Sequence, residues 1–68
     1  MHEGRHFRIL YILLNNERVT APELAEEFGV SVRTIYRDID TMSAAGIPIY
    51  MQGGRKGGIY LLEGYRLD

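Results

Sequence analysis

The chain has no cysteine, so neither disulfides nor thiolate metal sites can support its fold. It also has no apolar run long enough to span a bilayer. The longest such stretch, "FRILYILL", is short and contains Arg8. The N-terminal residues Met1-His2-Glu3-Gly4-Arg5 lack the uninterrupted apolar region of a signal peptide, so a cytoplasmic protein with no membrane partner is expected. There is no internal repeat and no low-complexity tract. No nucleophile–base pair and no nucleotide-binding glycine fingerprint appears, and both histidines lie near the N-terminus, so no enzyme and no cofactor is expected. His2 and His6 are one helical turn apart, but besides Glu3 they have no third candidate ligand nearby, so no metal site is expected either.

What remains is 68 residues, 46% apolar and 25% charged, the composition of one ordinary globular domain with a thin core. The net charge of −1 conceals a gradient. Residues 1–30 carry three basic and five acidic groups, whereas residues 31–58 carry Arg33, Arg37, Arg55 and Lys56 against Asp38 and Asp40. A basic segment on a near-neutral body suggests an anionic partner met by one face.

The periodicity predicts a first helix over 5–15, with Phe7, Leu10, Tyr11 and Leu14 at the i, i+3, i+4, i+7 spacing of a buried stripe, widened by Ile9, Ile12 and Leu13. Arg18-Val19-Thr20 is long enough only for a bridging strand. Thr20-Ala21-Pro22-Glu23 reads as a capping box with proline in the first turn, and it opens a two-turn helix carrying Leu24, Ala25 and Phe28 inward. Gly29 stops this helix in the left-handed conformation. Ser31 then caps a third helix over 32–45, with Ile35, Ile39 and Met42 as its buried stripe and Gly46 and Pro48 as its end. After Gly46 the period becomes two. Ile47, Ile49 and Met51 alternate with polar or bulky neighbours, and "IYLL" at 59–62 supplies a second strand, with residues 53–57 as the loop of a hairpin.

Two capped helices joined by Gly29-Val30-Ser31 form a helix-turn-helix pattern. On a helical wheel, Arg33, Thr34, Arg37 and Thr41 lie opposite the buried stripe, while Val32 and Tyr36 sit on the boundary. Like charges one turn apart weaken an isolated helix, so Arg33 and Arg37 suit binding better than helix stability. They fit a helix laid in the major groove of double-stranded DNA. The bland alternative is a solvated helix face. "QGGRKGGIY" directly after that helix reads as a wing, its glycines allowing a tight turn and close backbone approach while Arg55 and Lys56 supply charge; a bare hairpin is the alternative. It is no phosphate-binding P-loop, for no Gly-Lys-Ser/Thr ending and no helix follow. Asp38 and Asp40 repel phosphate and are read as partners that orient arginines.

Two segments, "VTAPELAEEFGVSVRTIYRDIDTMSAAGIPIY" and "GGRKGGIYLLEGYRL", carry a family likeness. Together they resemble the N-terminal winged helix-turn-helix domain (type 11, DeoR-like) of bacterial WYL-domain transcriptional regulators. The likeness covers essentially residues 5–67. It implies a mainly α fold of three helices plus a β-hairpin wing, and a domain spanning residues 1–68 that binds double-stranded DNA sequence-specifically. By matching positions, Ser31, Arg33, Thr34, Tyr36 and Arg37 would face the groove, and Arg55 and Lys56 the flanking backbone. It further implies an effector ligand, if any, held by a domain outside this chain. A homodimer in the full-length protein is expected because one helix gives too few base contacts for a unique genomic site. The competing expectation is a winged helix serving as a protein–protein adaptor, which would need an exposed apolar patch.

Overall fold

A computed structural model of the chain describes residues 2–16, 18–53 and 58–61. It contains α1 (His2–Asn15), α2 (Ala21–Phe28), α3 (Val32–Ala44), β1 (Ile49–Gln52) and β2 (Gly58–Leu61). This is a winged helix-turn-helix, three helices followed by an antiparallel hairpin. The first helix begins three residues earlier than the sequence predicts, since Gly4, a weak helix former, does not interrupt it. No helix of the described residues is long and apolar enough to cross a membrane.

The punctuation between elements follows local chemistry. At the start of α2 the Thr20 hydroxyl accepts the Glu23 N–H at 3.2 Å, and Glu23 Oε1 accepts the Thr20 N–H at 2.8 Å. That exchange satisfies two donors the helix start would otherwise leave open, and it holds the Glu23 carboxyl below the usual carboxylate range. At the other end the Val30 N–H reaches Ala25 O at 3.0 Å, a closure that needs the left-handed conformation Gly29 adopts at φ 65°. The end of α3 repeats the device. Gly46 N–H bonds Ser43 O and Ile47 N–H bonds Met42 O, at 3.0 and 3.2 Å. This wrap uses up Ile47, so β1 starts at Ile49 rather than at 47.

The hairpin pairs Ile49 with Leu61, Tyr50 with Tyr60, Met51 with Ile59 and Gln52 with Gly58. Tyr50 and Tyr60 meet edge to face at 5.7 Å between ring centres. Their rings brace the hairpin across its non-core face. Val19 forms the short bridge that the sequence predicts, and its partner is Ile59: bonds of 3.0 and 2.6 Å tie the segment before α2 to β2.

The core consists of Ile9, Leu13, Ala21, Leu24, Ala25, Ile35, Ile39, Met42, Ile59 and Leu61. The α3 stripe is as expected. The α1 stripe is not. Phe7 and Tyr11 are 75% and 67% exposed, and Leu10 and Leu14 are only half-buried. Ile9 and Leu13, at 0% exposure, hold the centre instead. Apolar residues run nearly all round this helix, so spacing alone leaves its inward face open, and packing against α3 and β2 selects the Ile9–Leu13 side. Replacing Tyr11 with Gln should therefore change stability by no more than about 0.5 kcal/mol in urea denaturation, the range for surface positions. A loss above about 2 kcal/mol would return that face to the core.

Candidate nucleic-acid interface

The outer face of α3 is assembled from its N-cap onward. Ser31 Oγ accepts the Thr34 N–H at 3.1 Å and shares a hydrogen bond with Thr34 Oγ1 at 3.1 Å. Both side chains therefore define where the helix starts, and Ser31 is exposed while Thr34 is half-buried. Arg33 and Arg37 project outward, exposed, and neither makes an ion pair among the described residues. Tyr36 is 45% exposed and Val32 lies beside it at the exposed edge, so the boundary residues fall on the outer side. Thr41 Oγ1 donates to Arg37 O at 3.0 Å, which turns that hydroxyl back onto the helix. The five predicted residues Ser31, Arg33, Thr34, Tyr36 and Arg37 thus occupy one end of one helix, with two guanidiniums pointing away from the core. Arg55 and Lys56 lie outside the described residues.

The strands place the wing directly after this helix, but the two outer glycines act differently from expectation. Gly53 is neither crowded nor at positive φ. Gly58 is pressed against Arg18 Cγ and Cδ and lies where a Cβ would come 3.3 Å from Val19 O. Its missing side chain serves the Val19–Ile59 bridge inside the domain.

Asp38 is the residue whose surroundings the sequence reading missed. It is 5% exposed, the only buried charged residue among those described. Arg5 holds it through two bonds, Nε to Oδ2 and Nη2 to Oδ1, the latter at 3.1 Å, and His6 Nε2 lies 3.1 Å from Oδ1. Burial by itself would raise this carboxyl. The hydrogen bonds and charges of Arg5 and His6 outweigh that effect and hold it below the usual range. The same bonds raise the Arg5 guanidinium. Asp38 does orient an arginine, as the sequence suggests, but that arginine comes from α1. Asp40 is exposed and makes no ion pair among the described residues. A signal was present: Asp38 falls on the 35–38–39–42 stripe, where an acid needs a partner. Arg5 and His6 prolong the Ile9–Leu13 face by one turn.

Around this cluster lies an open groove of about 470 Å³ between α1 and α3, lined by Arg5, His6, Val30, Thr34, Arg37, Asp38 and Thr41. Its position extends the polar outer face of α3 sideways onto the first helix. No group of three or more potential metal ligands occurs among the described residues. In chemical terms the surface offers guanidinium, imidazole and hydroxyl donors on a convex helix of the width that a major groove admits.

These features define a helix-turn-helix protein, and the family model described as "HTH domain" matches residues 5–66. The chain belongs to this helix-turn-helix family. It is 52% identical over 64 residues to the uncharacterized HTH-type transcriptional regulator YobV of Bacillus subtilis (strain 168), an alignment covering 94% of this chain and 20% of that protein. The chain thus spans about a fifth of the length of this relative. No solved structure matches it.

Proposed function

We propose that this chain is the DNA-reading module of a bacterial transcriptional regulator, binding double-stranded DNA sequence-specifically through α3. The observation that carries the reading is the pair Arg33 and Arg37, exposed one turn apart on the second helix of a helix-turn-helix, with no ion-pair partner among the described residues. A structural role would pair or disperse such charges. The family supports it, as does the name of the relative, an HTH-type transcriptional regulator. In this reading residues 1–68 are one domain that works in the cytoplasm without catalysis or cofactor. Ser31, Arg33, Thr34, Tyr36 and Arg37 face the groove, and Arg55 and Lys56 meet the flanking sugar-phosphate chain. One such helix contacts too few base pairs for a unique genomic site, so the domain acts within a symmetric homodimer. In the same reading any effector ligand is bound by a domain outside residues 1–68.

Selection of duplexes from a randomised pool tests the proposal directly, and failure to enrich any sequence would overturn it. On the selected duplex, Arg33→Ala should weaken binding by about 1–3 kcal/mol and relax preference at one base pair, because a guanidinium in the first helical turn can reach guanine O6 and N7. Equal losses on selected and scrambled duplexes would move Arg33 to the backbone. The adaptor reading draws on one observation, the exposed Phe7 and Tyr11 of α1. It would prevail if the domain bound no duplex and captured a protein partner through that face.

A further inference from the structure

The groove between the N-terminal half of α1 and α3 brings Arg5, His6 and Asp38, which the base-reading role leaves unused, beside Thr34 and Arg37 of the recognition helix. We infer that it seats a backbone phosphate of the DNA strand running beside α3, with Arg5, His6 and Arg37 around the phosphate and Asp38 as the positioning residue. The inference deepens the DNA-binding reading and rests on it.

The first argument is geometric. The major groove is about 12 Å wide and an α-helix with side chains about 10–12 Å across, so a helix lying in it has a phosphate chain against its flank. Along α3 the residues between the outward Arg33 and the inward Asp38 are Thr34, Arg37 and Thr41, and these three line the groove together with Arg5 and His6. A strand passing that flank meets side chains of two helices. The second argument is chemical. Two guanidiniums and an imidazole line the groove with a single carboxylate, whose oxygens are both engaged by Arg5 and His6, while the Thr41 hydroxyl is spent on Arg37 O. The groove therefore keeps a positive balance and presents donors, which is what phosphate oxygens require.

The third argument concerns Asp38 itself. A buried ion pair seldom stabilises a fold more than apolar residues of similar volume would. In a core this small, a carboxylate on the buried stripe of α3 is a poor choice for stability alone. It does fix the Arg5 fork, by two hydrogen bonds, and the His6 ring, by one, at the wall of the groove, from a buried side chain.

The test is a salt titration of binding to a mixed-sequence duplex by the wild-type chain and by the double variant Arg5→Leu/Asp38→Leu. The exchange removes one positive and one negative charge together, so the overall charge of the domain is unchanged and the buried position 38 takes an apolar side chain. Thermal melting confirms that the variant is folded. Loss of one phosphate contact should flatten the slope of log affinity against log salt by about 0.9, equally for every sequence. An unchanged slope would show that the pair is structural only and overturn the inference while leaving DNA binding intact. Should the double variant fail to fold, Arg5→Gln, which retains an amide donor toward Asp38, is titrated in its place and judged by the same slope. A wild-type chain with no salt-dependent binding would overturn the DNA-binding reading itself, and this inference with it.

Discussion

Asp38→Ala is expected to cost about 3–5 kcal/mol of folding stability, the loss typical when one partner of a buried charge pair is removed. Arg5 and His6 are left facing a vacated site between α1 and α3, and they would have to be rehydrated or displaced. Because Arg5 retains some access to water, the value should fall toward the lower end of that range. For a domain whose total stability is of the order of 5 kcal/mol or a little above, the variant should be largely unfolded at moderate urea. The same carboxyl sets a pH dependence. Its folded value is lowered, so its contribution is complete above the ordinary unfolded value of about 4 and is lost as pH falls through the lower folded value. The wild type should lose stability on acidification below about pH 4, and Asp38→Asn should show a shallower acid limb. Urea denaturation at pH 7 and at about pH 3 measures both effects. Parallel acid limbs in wild type and variant would remove Asp38 from the linkage.

Ile35→Ala should cost about 2–5 kcal/mol, from lost transfer free energy and the cavity left behind. Ile35 is fully buried beneath the turn that joins α2 to α3, in the same cluster as Leu24, Ala25 and Ile39, with Val30 packed against it. Its loss should loosen the packing of α3 against α2 and so lower DNA affinity for every sequence even where the variant remains folded. Ile35→Val should cost only about 0.5–1.5 kcal/mol and keep that packing. Calorimetric melting of the three proteins checks the order. A melting temperature that barely moves in the alanine variant would contradict the assignment of the buried face of α3.

The sequence by itself determined the features that depend on neighbours within one turn or one hairpin. The capping box at Thr20 and Glu23, the left-handed closures at Gly29 and Gly46 and the N-cap at Ser31 each involve residues at most five apart, so their chemistry is written in adjacent letters. The same holds for the inward stripe and outward arginines of α3, where one face is apolar and the other polar and the period resolves the two. Tertiary structure decided the rest. The first helix is apolar around most of its circumference, so only contact with α3 and β2 could choose Ile9 and Leu13 over Phe7 and Tyr11 as its core face. The partners of Asp38 stand 33 and 32 residues away, beyond any local pattern, and that separation is why Arg5 and His6 were absent from the site read off the sequence. Gly58 reads as loop chemistry in one dimension, yet in the fold its space is set by Arg18 and Val19, far earlier in the chain, across the bridge to β2.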